Sequence, residues 1–287
     1  MLARLFVFLQ YILPRHWLTS IIYHVARIKQ RTIKDFLISR FVRLYDVDIA
    51  EVELKVPDDF ATFNDFFIRE LKKNARPVDA AINALVSPVD GTVSQAGQLR
   101  SDTILQAKGR EYTLNDLLAT DLDDAQAYID GSFATFYLAP HNYHRVHAPF
   151  AGELVAARYV PGDLFSVNTA TVAHVRGLFR RNERLMLHFA TPHGPAVLIF
   201  VGALNVGSIA TPWSGEIRPR KTGTVDVIDL SNAQTAVNKG DLLGWFNMGS
   251  TVILLLPAGA CAWRNDLVHG ATVRIGEAIA ELSSRTT

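Results

Sequence analysis

The first 45 residues constrain this chain more than any other stretch. They carry Arg4, Arg15, Arg27, Lys29, Arg31, Lys34, Arg40 and Arg43 against a single acid, Asp35. Apolar residues are dense in the same stretch: Leu5 to Leu9, Tyr11 to Leu13, Trp17, Leu18, Ile21 to Tyr23 and Val25. A transmembrane helix needs about 20 apolar residues in a row. The uncharged runs here, 5–14 and 16–26, are shorter and are separated by Pro14-Arg15. A secretory signal would need a small-residue cleavage site after its apolar core, where this chain reads Pro14-Arg15-His16-Trp17. What remains is helices that lie on something. Ile33, Phe36, Leu37, Phe41 and Leu44 recur at helical spacing, with Arg31, Lys34, Arg40 and Arg43 between them. That is the composition of an interfacial membrane anchor. Helices packed on their own domain or on a partner subunit would share it.

The formal net charge of +1 argues against a nucleic-acid partner, yet it is a cancellation between a +7 segment and a −6 body. Anionic lipid attracts each base near its surface by about 1 kcal/mol. The chain has 287 residues and is 49% hydrophobic, ample for a packed core. Its one cysteine, Cys261, excludes a disulfide framework and a multi-cysteine zinc site.

Thr62 followed by Asp65 reads as a capping box and predicts a short helix over 62–72. Pro77 ends the mainly helical part. Beyond it come short β-like runs: Leu85-Val86, Phe133–Leu138, Leu154–Val160, Leu185–Ala190, Ala196–Gly202, Thr224–Leu230 and Val252–Leu256. His193-Gly194 predicts a hairpin turn, and Leu114–Ala119 a short helix after Thr113. The expected architecture is α+β. N-terminal amphipathic helices (1–76) precede a predominantly antiparallel β domain (77–287) with a sandwich- or barrel-like C-terminal part.

Three groups of residues could carry chemistry. His141, His144 and His147 fall within seven residues. A metal site, structural histidines and acid–base catalysis are all open to them, but the flanking Pro140 and Pro149 favour an extended segment. His144 and His147 then point to opposite sides. No cysteine pair or His-Glu-x-x-His pattern accompanies the cluster, so no metal is assigned. Asp90-Gly91 is an ordinary turn dipeptide that could also place a carboxylate. Gly249-Ser250-Thr251 leads directly into the apolar run Val252–Leu256, which reads as a strand buried on both faces with a serine at its mouth.

Taken together, several stretches give the chain a specific resemblance. They are Gln10 to Pro14, Phe63-Asn64-Asp65-Phe66-Phe67, Pro88 to Gly91, Tyr143 to His147, Val160 to Asn168 and Gly249-Ser250-Thr251. In these the chain resembles the bacterial phosphatidylserine decarboxylases, the membrane-associated, pyruvoyl-dependent type. Met248 stands where that family usually has Leu, a swap that keeps size and apolarity.

The resemblance implies a proenzyme that cuts itself between Gly249 and Ser250 into a β chain, 1–249, and an α chain, 250–287. Ser250 would be the nucleophile, His147 its base and Asp90 the group orienting that base. Ser250 would end as a covalent pyruvoyl group, the only cofactor implied. That group would form a Schiff base with the amine of phosphatidylserine, and His144 would serve the decarboxylation step that yields phosphatidylethanolamine. The resemblance further implies a peripheral protein on the cytoplasmic side of the cell membrane, held to anionic lipid through residues 1–45. It would be a heterodimer of its own two chains, and members often dimerise further. Two other readings remain: a soluble pyruvoyl-dependent amino-acid decarboxylase, and a non-enzymatic membrane-binding module.

Overall fold

The computed structural model describes residues 2–107, 110–119 and 125–283. Helices α1 (Leu2–Ile12) and α2 (Arg15–Ala26) meet at the Pro14 break. Proline has no N–H to continue the first helix, but its carbonyl accepts from Leu18 N and so opens the second. Helix α3 (Arg31–Tyr45) ends on Asp46, whose left-handed backbone lets its N–H reach the Val42 carbonyl. Among the described residues, no helix is long and apolar enough to cross a membrane.

Helix α4 (Phe63–Phe67) starts where the capping box predicts, with Asp65 N donating to Thr62 Oγ1 at 3.1 Å. It is shorter than the expected 62–72. Glu53 N donates to the Glu70 carbonyl and Lys72 N to the Glu51 carbonyl, so residues 70–72 run extended beside 51–53. Those bonds replace the helical ones. Phe60, Phe63, Phe66, Phe67 and Ile38 form a small aromatic core under α3, with Phe41 edge-on to Phe63 at 5.1 Å between centroids.

The body is built on one large antiparallel sheet. Its main strands lie in the order Gly152–Val160, Arg184–Thr191, Gly194–Val201, Ser250–Leu256, Ser132–Leu138, Gly91–Gln98. Every residue of Ser250–Leu256 is buried, as a strand covered on both faces requires. Emptying one such position, for example Leu254→Ala, costs about 2–5 kcal/mol. The predicted hairpin turn holds, with Thr191 opposite Gly194. Gly91 is needed where it stands, because a Cβ there would lie 2.6 Å from the Tyr137 carbonyl oxygen of the neighbouring strand.

A smaller sheet carries Gly215–Ile217, Ile209–Thr211, Leu242–Phe246 and Arg145–His147 in that order. A third joins Ala84–Val86, Ala278–Leu282 and Cys261–Trp263. The described sheets stay open rather than closing into a barrel, so the fold is α+β. The expected strand over 224–230 shrinks to Asp226–Val227, paired only with Arg158 and Tyr159. That segment lies at the edge of the large sheet with Val227 exposed, so little side-chain burial extends it.

The chain leaves the small sheet at Phe246 and enters the large one at Ser250. Phe246 N donates to the His144 carbonyl and Asn247 N to the Ser208 carbonyl. Ser250 stands opposite Leu138. The Met248-Gly249 segment is thus a corner between two sheets, pinned on both sides.

Candidate active site

Ser250 heads the buried strand, and its Oγ has no hydrogen-bond partner. Thr251 Oγ1 beside it is also buried without one. Native interiors rarely leave such atoms unpaired, so two side by side at the mouth of a strand call for an explanation, of which a role in chemistry is one.

His144 approaches this corner. It is fully buried, its ring lies 4.2 Å from that of Phe67, and its Nδ1 donates to the Asn142 carbonyl at 2.8 Å. A methyl group placed on Gly249 would sit 3.7 Å from His144 Nε2 and 3.5 Å from the Leu138 carbonyl oxygen. Nε2 makes no well-formed hydrogen bond, although the Leu138 carbonyl is near enough to favour its protonated form. Burial, reinforced by the Arg69 guanidinium, pushes the imidazole down to about 3. It is neutral at physiological pH, with Nε2 as the free acceptor once Nδ1 carries the proton.

His147 lies on the other side of the short strand, as alternation requires. Its Nδ1 faces the Gly240 carbonyl at 2.8 Å, its ring stacks on Tyr143, and its Nε2 is buried without a partner. Burial also lowers its pKa, opposed by the Gly240 carbonyl and by the negative charge of Asp90. The backbone ties it to the Asp90 turn, since His147 N donates to the Pro88 carbonyl.

Asp90 is in this neighbourhood, but no hydrogen bond joins it to His147. Arg76 donates to both of its oxygens at 2.6–2.9 Å, and Ile275 N donates to Oδ1 at 2.9 Å. Arg76 is also paired with Glu51 at 2.8 Å. Asp90, His147 and Ser250 therefore form no continuous hydrogen-bonded relay in the uncut chain. The fold brings His144 to Gly249 and Asp90 to the region of His147. Nothing local in the sequence signals the Arg76–Asp90 pair, which spans fourteen residues. The sequence marks Phe67 only as part of a motif, and His141 contributes its carbonyl to Arg69. Among the described residues, no three His, Cys, Asp or Glu side chains converge as a metal site would need. Cys261 is free and buried.

Beside the corner lies a cavity of about 380 Å³. Gly249, Met248, Phe67, Ser166 and Asn205 line it, together with Phe6 of α1 and Phe41 of α3. It therefore sits between the N-terminal helices and the Gly249-Ser250 bond. Those helices turn large apolar side chains outward. Trp17 is 66% exposed, Phe36 63% and Leu44 74%. Exposed aromatic and aliphatic groups in such number mark a surface that meets something apolar.

Known proteins give this arrangement its context. Residues 63–281 match the family profile described as phosphatidylserine decarboxylase, and residues 5–46 match a second one described as PSD. The chain is 44% identical over 281 residues to the phosphatidylserine decarboxylase proenzyme of Saccharophagus degradans, covering 98% of each. It is 45% identical over 273 residues to the proenzyme of the same name from Alcanivorax borkumensis, covering 95% of this chain and 94% of that one. The Legionella pneumophila proenzyme is 40% identical over 274 residues. With its helices, its buried serine corner and a likeness that spans nearly its whole length, the chain belongs to the phosphatidylserine decarboxylase family.

Proposed function

We propose that this chain is a proenzyme that cuts itself between Gly249 and Ser250 and then decarboxylates phosphatidylserine to phosphatidylethanolamine. The observation that carries the reading is the buried, unpartnered Ser250 Oγ at a pinned corner, directly after Gly249, which lines a cavity. Self-cleavage needs no substrate pocket, since nucleophile and carbonyl are adjacent in the chain and effective concentration lowers the barrier.

In this scheme Ser250 Oγ adds to the Gly249 carbonyl carbon and gives its proton to a base. The Gly249–Ser250 C–N bond breaks, the freed amine takes a proton, and an ester replaces the amide. Removal of the Ser250 Cα proton expels the Gly249 carboxylate and leaves a dehydroalanine. Water then releases ammonia and leaves a ketone at the new N-terminus. His147 is the base for the first step. Burial keeps it neutral, its Nε2 has no competing partner, and the negative charge of Asp90 favours the imidazolium it becomes. Asp90 is held in place for this by Arg76 and Ile275 N.

A pyruvoyl group at position 250 fits the residues present, because the serine oxygen it replaces has no bond to lose and the preceding residue, Gly249, lines the cavity. Such a group supplies a ketone that condenses with an amine and accepts the electrons released with CO₂. His144 Nε2, neutral and directed at Gly249, is the group that moves a proton at the substrate α-carbon. Phe67 and the aromatic cluster under α3 keep that side dry.

A second assignment of the histidines has a specific observation in its favour. His144 is the one that approaches Gly249, so an exchange of the two roles is the competing arrangement. Residues 1–76 are proposed to seat the protein on anionic lipid from the cytoplasmic side, leaving the cavity between α1, α3 and the corner open to a lipid headgroup. The support is the exposed apolar side chains of α1–α3 set among the bases of residues 1–45. The 38-residue α chain would stay bound, since its first strand is hydrogen-bonded on both sides within the large sheet. A denaturing gel tests the reading. The natural chain is expected as two bands and Ser250→Ala as one. Two bands from Ser250→Ala would overturn it.

A further inference from the structure

We infer that Gln10 and Thr19 are positioning residues that hang the polar walls of the cavity beside Gly249 from the N-terminal helices. The inference rests on the phosphatidylserine reading above. Helices α1 and α2 expose most of their apolar side chains, yet Gln10 and Thr19 are each only 1% exposed. A buried amide and a buried hydroxyl on helices of this kind need partners, and both have them in the walls of one cavity.

Gln10 Oε1 accepts from Ser166 N at 2.8 Å, and Gln10 Nε2 donates to Thr171 Oγ1 at 3.1 Å. Thr171 Oγ1 in turn donates to Asn168 Oδ1 at 3.0 Å. Ser166 and Asn168 line the cavity. Elsewhere in the lining, Asn205 N donates to Thr19 Oγ1 at 3.2 Å. Asn205 also lines the cavity, its φ of +71° is left-handed, and its Oδ1 is buried with no hydrogen-bond partner. A residue that lines a cavity, with left-handed backbone and a buried carbonyl oxygen left without a partner, is suited to accept an N–H from a ligand. The ammonium of a serine headgroup is such a donor.

The α1–α2 junction holds the rest of the first wall as well. Arg15 pairs with Asp163 at 2.8 Å and its guanidinium lies 3.9 Å from the centre of the Phe165 ring. His16 Nε2 lies 3.1 Å from the Gly162 carbonyl oxygen. The segment 162–168 is thus attached to the helix junction along its length, with Gln10 making the innermost bonds. Removing the Gln10 amide leaves Ser166 N–H without its acceptor, and the wall relaxes to find another. The corner at Gly249 is pinned by Ser208, His144 and Leu138 instead. Self-cleavage should therefore survive a change that impairs lipid turnover.

The test uses the full chain and vesicles containing phosphatidylserine, with Gln10→Leu and Thr19→Val as separate variants. Self-cleavage to completion, vesicle binding within twofold of the natural protein, and a KM for phosphatidylserine raised about tenfold in Gln10→Leu are expected, with a smaller rise in Thr19→Val. A KM within twofold in both variants overturns the inference. So does a rise that only follows lost vesicle binding. If Gln10→Leu does not fold, Thr19→Val decides alone, and an unchanged KM there overturns it. A natural chain that neither cuts nor decarboxylates would instead sink the function proposed above, so the two failures are told apart.

Discussion

The two sides of the short strand Arg145–His147 are chemically unlike, although their histidines are three residues apart. His144 faces Phe67 and Gly249 in a dry aromatic setting, and burial takes its imidazole down to about 3. His147 faces a wetter side shared with Tyr143, Arg76 and Arg145, where the Gly240 carbonyl and, to a smaller extent, Asp90 offset part of the cost of charging it. A helix would have brought the two together. An extended chain separates them, and the same side-chain type acquires two sets of neighbours. The proposed division of labour, one histidine to activate Ser250 and the other to work on bound lipid, is the one the family resemblance implies, and the separation gives it two distinct settings.

The sharpest way to break the comparison is to remove each imidazole in turn. His147→Ala is expected to remain uncut, or to cut at least a hundredfold more slowly, as loss of a general base implies. His144→Ala is expected to cut fully yet to lose at least a hundredfold in phosphatidylserine turnover. Band patterns on a denaturing gel, read beside a decarboxylation assay, check both. An uncut His144→Ala together with a cut His147→Ala would exchange the roles, in line with the approach of His144 to Gly249.

Acid titration sharpens the same contrast with a smaller effect. An unfolded histidine takes its proton near 6.5, whereas folded His144 resists protonation until about 3. Between those values the unfolded state binds more protons, so stability falls as pH falls. The slope attributable to one such group approaches about 1.4 kcal/mol per pH unit. In a Ser250→Ala background, which keeps the chain uncut, His144→Phe should flatten the loss of stability between pH 6 and 5. Denaturant melts at the two pH values measure it; an unchanged slope would mean that the folded imidazole charges more readily than its burial implies. His147, lowered in the same direction, should contribute with the same sign.

Much of this arrangement is legible in the sequence because its causes are local. The Pro14 break, the Thr62–Asp65 cap and the His193-Gly194 turn depend on neighbours in the chain, and each forms as expected. The run Val252–Leu256 is apolar at every position, and every position is buried. What is not legible there has distant causes. Helix α4 stops at Phe67 because residues 51–53 compete for the backbone of 70–72. Asp90 is taken by Arg76, and His144 meets Gly249 across more than a hundred residues, so no spacing rule points to either. The apolar residues of α1–α3 teach a related lesson, since density alone does not distinguish a core from an outward face.

The smallest expected effect is at Met248, which packs against the aromatic cluster under α3 and lines the cavity. Met248→Leu should leave self-cleavage and turnover within twofold, because volume and apolarity are kept. A larger change in either rate would mean that the thioether itself matters at the corner.

The most direct test of the account is the intact mass of the purified natural protein under denaturing conditions. The account predicts two chains, 1–249 and 250–287. The smaller should be lighter than a serine-ended chain by one ammonia and closed to sequencing from its N-terminus. A single intact chain of 31.8 kDa would contradict it, as would a cut that left Ser250 with a free amine.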